Sequence, residues 1–141
     1  METHIAIRID ELINSDLSFN TFGFNCDHAE EGRVIISATP SLNIRNGHGI
    51  VHGGYIFSLA DTAFAFAINV LCPGTVTMNA SIEYLAPGKA HDVLMADARV
   101  IHQAGRTVLA DVRVTSENQT LALYRGTGRI MNSSSNPKDV S

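Results

Sequence analysis

Cysteine is scarce in this chain. The 141 residues hold two, Cys26 and Cys72, far apart and at no metal-ligand spacing. One possible pair, with no export signal, reads as two reduced thiols rather than a disulfide. A secretory leader is also missing: the first turns carry Glu2 and Asp10, and no continuous apolar segment follows. The longest apolar run, 56–71, falls short of a membrane span and is broken by Ser58, Asp61, Thr62 and Asn69. These absences predict a cytoplasmic protein with no membrane partner. Positive charge is not in excess: 10 Lys and Arg against 14 Asp and Glu give a net charge of -4, so nucleic acid is not an expected partner. There is no Gly-x-Ser-x-Gly elbow and no phosphate-binding loop. Gly47-x-Gly49 followed by Gly53 is no dinucleotide fingerprint, because it follows no clear strand and its third glycine is misplaced. No internal repeat and no second domain can be discerned.

What remains is enough for one core. With 45% apolar and 17% charged residues, positions 1–131 read as a single globular domain, and the polar tail 132–141 as disordered. Residues 5–16 space Ile9, Leu12 and Ile13 as a short amphipathic helix does. Strands are expected over 20–27 and 32–39, with Glu30-Glu31-Gly32 between them. After an irregular Asn- and Gly-rich segment, 40–52, comes a helix over Gly53–Val70, free of proline and closed by Pro73-Gly74. Stretches 75–85, 92–102, 107–116 and 120–131 follow as strands. They are separated by Pro87-Gly88, Ala104-Gly105 and Asn118-Gln119, which predicts four successive strands of an antiparallel sheet.

The helix is apolar on nearly every face, from Ile56 and Phe57 through Phe64 and Phe66 to Val70. Such a helix must be buried all round. A single flat sheet covers one side, so the sheet must curl or a second chain must help. Both occur in the hotdog fold, an α+β architecture in which a long helix lies in a curved antiparallel sheet and sheets pair across a dimer.

Two features of the helix carry chemistry. His52-Gly53-Gly54 stands at its start, where free N–H groups and the positive dipole end can hold an anion or an oxyanion. Asp61 is a carboxylate in the most apolar helix of the chain; on an ordinary amphipathic helix it would be a wet edge, but here burial without employment would be costly. Gly53 and Asp61 are eight residues apart, about 12 Å along a helix. An oxyanion donor and a base must both reach one carbonyl group, each within about 3 Å of its partner atom. If both act, they come from different chains, so the spacing predicts a site shared across a dimer.

The run from His52 through Ala65, together with Ser81-Ile82-Glu83-Tyr84-Leu85-Ala86-Pro87-Gly88 and Gly105-Arg106-Thr107, resembles PaaI-type hotdog thioesterases of the acyl-CoA thioesterase superfamily. The resemblance runs from about residue 20 to 131. It implies hydrolysis of an acyl-CoA, aryl or phenylacetyl-type or medium-chain, to free acid and coenzyme A. Asp61 would be the base or nucleophile. The Gly53 N–H and the Asn46 side chain would polarise the carbonyl, His52 would orient substrate or thiolate, and Thr77 would place the water. The resemblance also assigns substrate contacts to Gly54 and Thr62 on the helix and to Asn79, Tyr84, Pro87, Gly88 and Lys89 on the next strand and turn. His102, Gly105, Arg106 and Thr107 on the hairpin, and Arg129 at the last strand's end, complete them. The charge distribution agrees with this placement: residues 1–31 hold seven acids against Arg8, whereas 89–131 hold six bases against four acids. A tetramer made of two dimers is a further implication; a metal or organic cofactor is not.

Other motifs carry less. His48 and His52 are four apart but lie in a Gly-rich loop with no Glu after His48, which is not a zinc pattern. Cys72 at a helix end is poorly placed for a thiolate. Phe64 and Phe66 read as packing, and His4, His28 and His91 as surface residues. Two competing functions stay open: a hotdog acyl-CoA hydratase or dehydratase using His52, and a non-catalytic acyl-CoA-binding module.

Overall fold

The computed structural model describes residues 1–131; the tail expected to be disordered, 132–141, lies outside the described residues. Helix α1 covers Thr3–Ser15 and buries Ile5 and Ile9, with Leu12 and Ile13 packed beside them. The strand expected over 20–27 starts later. Asp16 caps a short helix α2, Leu17–Thr21, by accepting the Ser18 N–H at 3.0 Å and the Ser18 hydroxyl. Phe19 stacks on Phe66 and meets Phe24 edge-on, and Gly23 at φ +74° turns the chain into strand β1, Phe24–Glu30. The cap and the burial of Phe19 outweigh the β preference of Thr21 and Phe22.

Strand β2 is Arg33–Ala38, helix α3 is Gly53–Leu71, and β3 is Thr75–Tyr84. Strand β4, Leu94–Ala104, lies two residues later than expected, because Asp92 donates to the Lys89 carbonyl and His91 takes φ +72°, making 89–92 a turn. Strands β5, Thr107–Ser116, and β6, Gln119–Ile130, match their expected spans closely.

All six strands form one antiparallel sheet ordered β1-β2-β4-β5-β6-β3. The expected succession of hairpins therefore holds for β4, β5 and β6 only. β3 pairs with β6, and residues 85–93 carry the chain across to β4 beside β2. That connection is tied down rather than turned tightly: the Leu85 and Ala86 N–H groups both donate to the Leu121 carbonyl, and Gly88 accepts from the Val51 N–H. The far edge of β3 has no strand neighbour among the described residues.

The sheet bends around α3, which contacts every strand. Register shifts at Cys26/His28, Thr77/Asn79, Val100/His102 and Val114/Thr115 are the bulges that bend it. Leu59, Phe64 and Ile68 are fully buried, each contributing about 1.5–3 kcal/mol of apolar burial. Close approach of α3 to β6 depends on two glycines. A Cβ on Gly126 would lie 2.6 Å from the Phe64 ring, and one on Gly128 2.8 Å from Ile68 Cδ1.

The architecture is the expected hotdog fold, with one correction. α3 is not buried all round within one chain: Gly54 is exposed, and Phe57, Ser58, Asp61, Thr62, Ala65 and Asn69 are only half-buried. This stripe gathers all four polar positions of the apolar run. At nineteen residues, α3 is also long and apolar enough to cross a membrane by length and composition alone, contrary to the expectation from the run 56–71. Its packing against the sheet makes it the core helix of this fold.

Candidate active site

The start of α3 is built by a pinched loop. Arg45 and Val51 form a β-bridge, Asn46 N–H donates to the Ile50 carbonyl and His52 N–H to the Ile44 carbonyl, both at 2.8 Å. The Asn46 Oδ1 accepts the His48 N–H at 2.9 Å, so its amide NH2 stays available as a donor. From behind, Gly88 supports the loop; a Cβ there would sit 3.3 Å from that of Val51, so the close approach suits glycine.

His52 is the N-cap. Its Nδ1 accepts the Gly54 N–H at 2.8 Å. The Gly54 N–H is committed to the cap and is not free for substrate, and His52 offers a ligand only its other nitrogen, which carries the hydrogen of the neutral ring. The Gly53 N–H, by contrast, has no partner among the described residues. Tyr84 donates its hydroxyl to the Gly53 carbonyl at 2.9 Å and lays its ring over the Gly53 Cα. The helix start and the 84–89 turn are thus one unit.

Asp61 stands two turns further along the same unbroken helix, half-buried, with Thr62 half-buried beside it. Its Oδ1 accepts a 2.5 Å hydrogen bond from the hydroxyl of Tyr124 on β6. Burial first, then this bond and the Asp61 charge, push the Tyr124 phenol far above its ordinary range. The Gly53–Asp61 separation of about 12 Å stands. One chain does not bring oxyanion donor and carboxylate together.

The expected substrate contacts fall into two groups at opposite ends of the sheet. Tyr84, Pro87, Gly88 and Lys89 adjoin the start of α3. Thr77 lies at a bulge on β3, while His102, Gly105, Arg106 and Thr107 occupy the β4–β5 hairpin and Arg129 pairs across from both Thr107 and Val76. Asn79 is exposed between the groups, opposite Thr127. The eight steps of extended strand from Val76 to Tyr84 span about 26 Å.

Charge pairing sorts the basic residues. Arg99 bonds Asp97, Arg125 holds Asp111 through two bonds of 2.6 and 2.8 Å, and Arg113 donates to the Thr120 hydroxyl. Lys89, Arg106 and Arg129 are exposed and form no ion pair among the described residues. These three are the cations the resemblance assigns to coenzyme A.

Sequence reasoning missed Tyr124. Its only local signal is its place in the alternating pattern of β6, which buries Ala122, Tyr124, Gly126 and Gly128. Asn69 was noted merely as an interruption, yet its amide donates to the Ala65 and Thr75 carbonyls and accepts the Gly74 and Thr75 N–H groups, closing α3 onto β3. Both cysteines are free, and burial pushes both thiols up, against a nucleophilic role. Phe64 and Phe66 are buried packing residues; His4, His28 and His91 are exposed. No group of three or more His, Cys, Asp or Glu among the described residues is placed to hold a metal ion. A concavity of about 680 Å³ lies on the sheet face turned away from α3, beside Ser81, Asp97, Ile101 and Leu123, and not between Gly53 and Asp61.

The family model of the Thioesterase superfamily matches residues 48–123. The acyl-coenzyme A thioesterase PaaI of Escherichia coli is 37% identical over 116 residues, covering 82% of this chain and 83% of that protein. The solved structure of the E. coli PaaI protein, from the phenylacetic acid degradation operon, superposes with a TM-score of 0.88 at 32% identity, covering 91% of this chain and 94% of that one. A Streptococcus mutans protein solved with bound acetyl-CoA gives a TM-score of 0.74 at 33% identity, over 77% of this chain and 89% of that one. The chain belongs to the thioesterase superfamily and, within it, is a PaaI-type hotdog-fold enzyme.

Proposed function

We propose that this protein hydrolyses the thioester bond of an acyl-CoA to a free acid and coenzyme A, in a site shared by two copies of the chain. The observation that carries the reading is the half-covered Asp61 carboxylate, held on one rigid helix away from the free Gly53 N–H. Antiparallel pairing of two open β3 edges would lay the Tyr84 end of one strand against the Val76 end of the other. The two α3 helices would then run oppositely, carrying Gly53 of one chain towards Asp61 of the partner subunit. The same operation would bring the Lys89 turn of one chain near the partner's Arg106 and the partner's Arg129.

In that arrangement the Gly53 N–H and the Asn46 amide polarise the thioester carbonyl. Asp61 takes a proton from a water placed by Thr77, and the water oxygen attacks the carbonyl carbon. The oxyanion collapses, the carbon–sulfur bond breaks, and the thiolate leaves with the proton Asp61 accepted. A thioester has weak resonance and a good leaving group, so one base and two oxyanion donors suffice, and neither a metal nor an organic cofactor is called for. Lys89, His102, Arg106 and Arg129 hold the phosphates. The phenylacetic acid degradation operon of the similar PaaI protein favours an aryl or phenylacetyl-type acyl group over a medium-chain one, and the proposed assembly is a dimer-of-dimers tetramer in the cytoplasm.

The test is thiol release from a panel of aryl, short and medium acyl-CoA thioesters. Asp61→Asn should lose at least about 100-fold in kcat. Full activity in that variant would remove the reading. Water addition to a crotonyl-type thioester without thiol release would favour a hydratase, and binding without turnover a carrier.

A further inference from the structure

We propose that Tyr124 is the positioning residue for Asp61: its hydroxyl fixes Oδ1 and leaves Oδ2 to meet the attacking water. This rests on the thioesterase reading of Asp61. Phe57, Asp61 and Phe64 stand at i, i+4 and i+7 on one face of α3. Tyr124 lies across that face with its ring centroid 5.5 Å from both phenylalanine rings and its hydroxyl on the carboxylate. At 2% exposure the ring has nowhere else to go. The neighbouring inward position on β6 is Gly126, and the space left by its missing side chain is where Phe64 lies. The donor is therefore oriented by packing, not by a mobile loop.

An aspartate on a half-covered helix stripe is otherwise free to turn its two oxygens. One donor at 2.5 Å ends that freedom and singles out the oxygen that works. Burial and the Asp61 charge keep the phenol protonated, so it donates throughout the working range. Among the described residues no other side chain bonds Asp61. Arg33, Asp97, Arg99, Asp111 and Arg125 pair with one another on the sheet face turned away from α3; Glu83 and Arg113 also lie on that face. On β3, Tyr84 is engaged with Gly53, and Arg8 and Glu11 of α1 lie near Asn69 at the other end of the helix.

Tyr124→Phe keeps the ring between Phe57 and Phe64 and removes only the donor. In the thiol-release assay its kcat should fall about 10- to 100-fold, with KM within about threefold of the parent. Loss of kcat with KM kept is a split that a general structural defect would not produce. Incorporation of 3,5-difluorotyrosine at 124, a donor of nearly the same shape, should keep kcat within about threefold of the parent, and it keeps the question answerable if the phenylalanine variant folds poorly. Parent kcat in Tyr124→Phe, or kcat lost equally in the difluorotyrosine protein, with Asp61→Asn inactive, would overturn the positioning role alone. An active Asp61→Asn would overturn the thioesterase reading, and the positioning role with it.

Discussion

Replacing Gly53 by proline removes one N–H group and little else. The first helical position tolerates proline because its N–H has no partner within the helix. His52 already holds φ -59° and ψ 132°, a conformation that residues before proline adopt. The new Cβ would lie 3.2–3.4 Å from the Tyr84 ring, whose side chain is 52% exposed and can yield by a few tenths of an ångström. The cost to folding should therefore stay below about 1 kcal/mol, whereas loss of an oxyanion donor costs about 2.7–4 kcal/mol in the transition state, or roughly 10²–10³ in kcat. Co-expression with Asp61→Asn under a second tag converts this into a test of the shared site. In a mixed two-fold dimer, one site carries both defects and the other carries neither. Random assortment makes half of the dimers mixed, so about one quarter of all sites are intact. Thiol release should reach about 25% of parent in the mixture, against roughly 1% or less for either variant alone. A mixture no more active than its components would refute the shared site, because a site built within one chain gains nothing from mixing.

Two further outcomes follow from the charges. Arg106→Ala with Arg129→Ala should raise KM for acyl-CoA by about tenfold with kcat nearly unchanged, and the difference should shrink in high salt; an unchanged KM removes these residues from phosphate binding. Burial raises the Asp97 carboxyl, but bonds from Arg33 and Arg99 outweigh it and hold the group below its usual range. A depressed pKa gives stability that is present above the ordinary carboxylate range and lost as pH falls towards the folded value. Asp97→Asn should therefore cost about 1 kcal/mol in urea unfolding at pH 7, allowing for solvent screening, and the difference should fade below about pH 3. The same cost persisting at low pH would refute this account.

Much of the fold was legible where the signals are local. The start of α3 falls on the expected residue and its end within one of it, because an unbroken Ala, Leu and Phe run is bounded by His52-Gly53 and Pro73-Gly74. β5 and β6 were equally plain, flanked by Gly105 and Asn118 with β-branched residues between. Asp61 was conspicuous as a carboxylate in apolar surroundings. His52 shows the limit of even a local reading: a histidine beside a glycine pair at a helix start suits a ligand or a cap, and a 2.8 Å contact with the Gly54 N–H decided for the cap.

The features that escaped notice are defined by partners far along the chain. Tyr124 matters because its hydroxyl meets a residue 63 positions earlier, and a tyrosine in an alternating strand carries no mark of that. Gly126 and Gly128 look like weak strand residues until Phe64, Ile68 and Thr75 are seen to occupy the space above them. The position of β3 beside β6 depends on where 85–93 docks, through Leu121 and Val51, and not on any turn residue. A rigid helix, by contrast, states a prohibition that needs no partner: eight residues separate Gly53 from Asp61 whatever surrounds them. A forbidden distance of about 12 Å is stronger sequence-level information than any proposed contact. It survives the difference in strand order found here, and it is why the incomplete half-sites of one chain argue for a second.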